Sequence, residues 1–190
     1  MQKVFIVLSR FLYIPNDKRR LVSNLGRKAA IIEGMPAPDF ALKDQDGRLV
    51  KLRNFRGKKI VLYFYLRDDT PGCTKEACSF RDGLGKLKSK DVVVLGISPD
   101  SVDSHKRFAD KYNLPFPLLV DEKAEVARKF GVWGKKNMYG RNYYGVIRST
   151  FIIDEAGKLK KVYGRVRVDG HLTRILKDLE YPPHPHPPAV

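Results

Sequence analysis

Lys59-Ile-Val-Leu-Tyr63-Phe-Tyr-Leu66-Arg-Asp-Asp-Thr70-Pro-Gly72-Cys73-Thr-Lys-Glu76-Ala-Cys78 is the stretch on which the fold turns. Its first eight residues, Lys59 to Leu66, are mostly apolar, with bulky and aromatic side chains at both alternating sets of positions. That pattern predicts a central strand buried on both faces. A polar turn with Thr70, Pro71 and Gly72 follows, and then good helix formers over 72–90, weakened by Gly83 and Gly85. Strand, turn and helix in this order place Cys73 at or beside a helix N-terminus and Cys78 inside the helix.

Outward from this core the alternation continues. Val92 to Ile97 reads as a second buried strand, Ser101 to Tyr112 as a helix, Leu118 to Val120 as a third strand and Ala124 to Phe130 as a short helix. Gly131 to Gly145, rich in Gly, Lys and Tyr, reads as a loop. Ser149 to Ile153 and Leu159 to Tyr163 flank Asp154-Glu-Ala-Gly157 as a hairpin, and His171 to Leu179 is an amphipathic helix. Upstream, Phe40 to Leu42 and Leu49 to Leu52 flank Asp46-Gly47, a further hairpin signal. The sum is an α/β chain: a thioredoxin-like three-layer sandwich with an added N-terminal β-hairpin.

The domain is expected over 34–180, with a basic appendage over 1–33 and an extended, proline-rich tail over 181–190. Residues 1–30 carry seven basic side chains and one acidic, but lack the order of a signal peptide. A packed extra helix, a peripheral membrane anchor and an organelle leader are the roles open to this segment. The whole chain carries +16 over 190 residues. Its positive residues are dispersed and lack the aromatic interleaving of a single-strand platform, so no specific nucleic-acid partner is expected.

Two cysteines at this size are no disulfide scaffold. A helix N-terminus presents unpaired N–H groups and partial positive charge, which stabilise a thiolate, so the pair points to redox chemistry. Thiolate formation gains roughly thirtyfold in nucleophile, far too little for an enzyme. Attack on a peroxide also spreads negative charge over two oxygens, which calls for fixed donors. Thr70 can supply a hydroxyl, Gly72 and Cys73 their N–H groups, and Arg148, just ahead of a buried strand, a cation. The product at Cys73 is a sulfenic acid, which a nearby thiol condenses to a disulfide. Five helical residues rise ~7.5 Å, whereas a disulfide needs Cα atoms roughly 4.4–6.8 Å apart. Cys73 and Cys78 therefore cannot join while their helix is intact.

Leu62-Tyr-Phe-Tyr65, Thr70-Pro-Gly-Cys-Thr74, Glu76-Ala-Cys78, Gly96-Ile-Ser98, Phe130-Gly-Val-Trp-Gly134 and Arg148-Ser-Thr-Phe-Ile-Ile-Asp154 together resemble the peroxiredoxins of the bacterioferritin comigratory protein, or peroxiredoxin Q, group. The resemblance runs from about Gly34 to Leu179. It implies a thioredoxin-like fold and thiol-dependent reduction of hydrogen peroxide and organic hydroperoxides, with no cofactor. It implies Cys73 as the peroxidatic cysteine, Cys78 as the resolving one, and Thr70 and Arg148 as activating hydroxyl and cation. Thioredoxin or a similar dithiol would be the reductant. Leu66 stands where the family pattern carries the proline that shapes the peroxide pocket; leucine keeps apolar cover without the fixed backbone. Glu76 is a candidate for pocket support.

Other residues read more plainly. Trp133 is expected in the core, His105 and His171 are isolated along the sequence, and His184 and His186 sit in the tail, so no metal site is expected. A monomer is expected, with a dimer as the alternative, in a reducing compartment such as the cytoplasm. Two other functions compete: a thioredoxin-like thiol–disulfide oxidoreductase, disfavoured by Cys-x4-Cys in place of Cys-x2-Cys, and a basic nucleic-acid or membrane binding module.

Overall fold

Lys59–Phe64 forms a strand with every residue after Lys59 buried, as its run of large apolar side chains requires. In a computed structural model, which describes residues 31–138 and 140–180, this strand is the middle of a five-stranded sheet. Along the chain come β1 (Ala41–Lys43), β2 (Leu49–Lys51), a 3₁₀ turn (Leu52–Phe55), β3 (Lys59–Phe64), α1 (Pro71–Asp82), α2 (Leu84–Lys88), β4 (Val92–Ser98) and α3 (Val102–Tyr112). They are followed by β5 (Leu118–Val120), α4 (Glu125–Lys129), β6 (Trp133–Met138), β7 (Arg141–Val146), β8 (Ser149–Ile153), β9 (Leu159–Gly164) and α5 (His171–Glu180).

The sheet order is β5-β4-β3-β8-β9, with β4 parallel to β3 and β5, and β8 antiparallel to β3 and β9. Alternation along the strands sorts the core into two layers. Val61, Tyr63, Val94 and Ile152 face α1, α2, α3 and α5 through Ala77, Phe80, Leu87, Phe108 and Ile175. Ile60, Leu62, Phe64, Leu95, Ile97, Phe151 and Ile153 face α4 and the segments around it through Val126, Ala127, Phe130 and Val132. This is the three-layer, thioredoxin-like α/β arrangement expected from the sequence, and β1 and β2 form the added antiparallel hairpin.

Three expectations need correction. Residues 131–145 are not a loop: β6 and β7 pair antiparallel from Trp133↔Val146 to Met138↔Arg141. The turn signal there is a single glycine, Gly140 at φ +77°, and the strand signal is diluted by lysines and glycines. The helix over 72–90 is two helices broken at Gly83. A Cβ at Gly83 would overlap Leu172 Cδ2, so the close approach of α5 occupies the space a side chain would need. The strand from Lys59 ends at Phe64 rather than Leu66, where the chain bends toward α1.

Most of the expected appendage and all of residues 181–190 lie outside the described residues. Ile31 packs on the core, and Glu33 Oε1 accepts from the Val162 N–H at 3.0 Å. Among the described residues no helix is long and apolar enough to cross a membrane.

Gly96 lets β4 pass Tyr63. A Cβ there would sit 2.8 Å from the Tyr63 ring and 2.9 Å from Leu118 Cδ2. Gly96→Ala should therefore cost about 1–3 kcal/mol through overpacking, measured as a lower urea midpoint with an unchanged m-value. An unshifted midpoint would mean that the neighbouring side chains yield freely.

Candidate active site

The site forms where β3 ends and α1 begins. Thr70, extended at φ −88°, is the N-cap of α1, and Pro71 opens the helix, where its missing N–H costs nothing. Cys73 is the third helical residue and lies buried against the sheet, while Cys78, half-buried, follows in the same helix; both are free thiols. The N-terminal placement of Cys73 and the helical placement of Cys78 thus agree with the sequence reading.

Arg148 arrives from the opposite direction. Antiparallel pairing aligns Phe64 of β3 with Ser149 of β8, so the residue before Ser149 falls just beyond the end of β3, beside the start of α1. Its Nη2 lies 3.2 Å from Cys73 Sγ, and its Nη1 donates to Glu76 Oε2. Gly72 leaves room for this: a Cβ at that position would stand 3.3 Å from Arg148 Nη2. Glu76 is on the same helix one turn beyond Cys73, with its side chain only 2 % exposed. The fork of Arg148 therefore joins a buried sulfur to a buried carboxylate.

Burial pushes the Glu76 carboxyl up to about 7, against the pull of Arg148. For Arg148, burial disfavours the charge, but Glu76 and Cys73 outweigh it and hold the guanidinium above its ordinary value. Lys136 on β6 belongs to the same field. Burial and the charge of Arg148 lower it, and Cys73 raises it. Sequence reasoning missed Lys136 because its hairpin reads as a loop. The signal available was the Lys-rich, Tyr-rich alternation ending two residues before Arg148.

The remaining candidates fall as follows. The Thr70 hydroxyl donates to the Arg67 carbonyl at 3.1 Å, so its one proton is committed within the turn. Leu66, at the bend after β3, is 37 % exposed and stands at the rim. Trp133 packs partly on the core, with Arg128 over its ring at 5.2 Å. Neither His105 nor His171 is isolated in space. His171 Nε2 lies 2.8 Å from Thr150 Oγ1, and burial, followed by the charges of Arg174 and Arg148, lowers it to about 4. His105 clusters with Asp68 and Asp100, the ligand-type atoms lying within 4.8 Å of one another. These atoms already bond to one another and to Tyr65, Ser98 and Ser104, which is the chemistry of a hydrogen-bonded latch.

A carboxyl raised from 4.5 in the unfolded chain to about 7 in the fold stabilises the fold fully below 4.5 and ceases to do so as pH rises through 7. Wild type should lose on the order of 3 kcal/mol from this group between pH 4.5 and 7.5. Glu76→Gln, which cannot titrate, should lack that component. Matching pH profiles of melting temperature for the two proteins would contradict this.

The likenesses to known proteins agree with this geometry. The AhpC/TSA family model matches residues 34–162. A putative peroxiredoxin Bcp of Coxiella burnetii is 50 % identical over 143 residues, covering 75 % of this chain and 95 % of its own. Peroxiredoxin Bcp of Bacillus subtilis is 48 % identical over 147 residues, covering 77 % and 94 %. Among solved structures, the bacterioferritin comigratory protein of Xanthomonas campestris, studied for alkyl peroxide reduction, is 35 % identical with a TM-score of 0.73, covering 78 % of this chain and 97 % of that one. A cysteine-to-serine mutant of peroxiredoxin Q from the same organism gives 36 % and 0.74, with coverage of 78 % and 97 %. The match across the whole strand–turn–helix unit and the Arg148 strand places the chain in the AhpC/TSA family, among the peroxiredoxins of the Bcp and peroxiredoxin Q group, as a thiol peroxidase.

Proposed function

We propose that Cys73 is the attacking thiolate and Cys78 the resolving thiol of this peroxidase. The sulfur of Cys73 bonds to one peroxide oxygen as the O–O bond breaks, and the other oxygen departs as hydroxide or alkoxide and takes up a proton. The observation that carries this reading is Arg148 Nη2 at 3.2 Å from the sulfur, at the N-terminus of a helix whose first N–H groups are unpaired within it. Thr70 and Gly72 shape the approach. The Thr70 oxygen keeps lone pairs for a peroxide hydrogen while its own proton goes to Arg67.

The Cys78 thiol then attacks the sulfenic sulfur, forming the S–S bond as the S–O bond breaks and water leaves. Both cysteines lie within α1, five residues apart, so this step needs the helix to unwind locally. A thioredoxin-type dithiol reduces the bridge. Residues 34–180 act as a monomeric catalytic unit in a reducing compartment such as the cytoplasm, and residues 1–33 are an appendage to it. Hydrogen peroxide and organic hydroperoxides are the substrates.

Cys73→Ser should abolish peroxide consumption with dithiothreitol or thioredoxin. Cys78→Ser should consume about one equivalent of peroxide and then stop cycling with thioredoxin. Full activity in Cys73→Ser would overturn the assignment of the attacker, and unchanged cycling in Cys78→Ser would hand resolution to an external thiol. In the oxidised chain, amides of residues 73–80 should exchange faster than in the reduced one; equal protection would exclude helix opening.

A further inference from the structure

If Cys73 and Cys78 are joined as proposed above, what holds α1 closed sets how fast they meet. The segment that must rearrange is tied at both ends to a single residue, Tyr112, the last of α3. Upstream, Asp69 accepts from Tyr112 Oη and from Lys111 Nζ, each at 2.6 Å. Downstream, Arg81 Nη1 donates to the Tyr112 carbonyl at 2.7 Å. Between these ties lie residues 70–80 and both cysteines. Tyr112 is itself seated, its ring edge-on to the buried Phe108 with centroids 5.3 Å apart.

The upstream tie has a fixed base. Asp69 stands at φ +54°, a left-handed backbone that a non-glycine residue holds only when its surroundings impose it. Its neighbour Asp68 is buried, accepting from Tyr65 Oη at 2.7 Å and Ser104 Oγ at 2.8 Å, with His105 Nδ1 at 2.8 Å and its own N–H bonded to Asp100 Oδ2 at 2.9 Å. His105 Nε2 lies 3.2 Å from the Leu119 carbonyl, so the imidazole is held at both ring nitrogens. Moving residues 67–68 would break a buried, charged network, which is far costlier than breaking the exposed bonds of Asp69.

We propose that Tyr112 is a positioning residue that brackets the cysteine-bearing segment, confines its opening to residues 70–80, and thereby sets the rate at which a Cys73 sulfenic acid is resolved. The bracket acts on the opening and not on the attack. A Cys73 sulfenic acid either condenses with Cys78, losing water, or meets a second peroxide, whose distal oxygen leaves as water or alcohol while the sulfur becomes a sulfinic acid. A weaker bracket favours the first outcome.

Tyr112→Phe removes only the hydroxyl, leaving the ring and the carbonyl that Arg81 uses; Arg81→Met removes the other tie. In the full-length chain mixed rapidly with one equivalent of hydrogen peroxide, disulfide closure should accelerate roughly threefold to tenfold in each variant, the effect of a single hydrogen bond. It should accelerate further in the double variant. Intact mass after excess peroxide should show a smaller sulfinic fraction. As a control for general destabilisation, Val162→Ala, in the opposite core layer, should lower the melting temperature without changing the closure rate. Closure within twofold of wild type in both single variants, or an equal gain in Val162→Ala, would overturn the bracket. A wild type that forms no Cys73–Cys78 bond would instead remove the reading of the two cysteines, and the bracket with it.

Discussion

Arg148 is shared between a buried sulfur and a buried carboxylate, and most of the local architecture follows from making that sharing possible. A guanidinium and a carboxylate out of water are each costly alone by several kcal/mol, and removing either strands the other beside the sulfur. The fold assembles all three from two segments 72 positions apart. The antiparallel register of β3 and β8 delivers Arg148, the β3–α1 turn delivers Cys73, and one further helical turn delivers Glu76. Gly72 supplies the clearance where the guanidinium crosses the helix. A shift of either strand by one residue would send Arg148 to the other face of the sheet.

Much of this was legible because it is local. Alternation and turn chemistry around Lys59–Cys78 give strand, turn and helix, and an arginine directly before a buried strand demands a partner. What stayed hidden depends on contacts between distant segments. The β6–β7 hairpin carries weak strand formers and is held by pairing rather than propensity, so Lys136 dropped out of view with it. Leu172 packs against Gly83, where the helix breaks, and nothing within 72–90 distinguishes Gly83 from Gly85, which remains inside α2. His105 looks solitary in the sequence because its bonding partners, Tyr65, Asp68 and Leu119, come from two other segments.

The same helix has opposing duties in the proposed cycle. Its first turn must be rigid for the N–H groups and Arg148 to meet developing charge, since preorganisation is what makes such donors effective. The same turn must then come apart for two sulfurs five residues apart to bond. A helix stabilised uniformly would serve only the first step. α1 is instead bounded by Gly83 and uncapped by the Thr70 side chain, which bonds Arg67 in place of a helical N–H. Its closure relies on contacts from outside, on α3 and Arg148, and such contacts can be broken without disturbing the sheet beneath.

Glu76 gives the arrangement its direction. A lysine at position 148 would offer a single point charge, free to settle between sulfur and carboxylate. The planar fork of arginine can be gripped on one side by Glu76 through Nη1 while Nη2 faces Cys73. As the proposed reaction moves negative charge from sulfur to the departing oxygen, the Nη2 side faces that charge while Nη1 stays on Glu76. Lys136, lowered by burial and by Arg148, adds positive potential from the hairpin without competing for Glu76. Burial raises the Glu76 carboxyl toward neutrality: its ionised form grips Arg148 Nη1 more firmly, and its protonated form leaves more of the guanidinium charge to the sulfur side. Attraction and aim therefore trade against each other through a single buried proton.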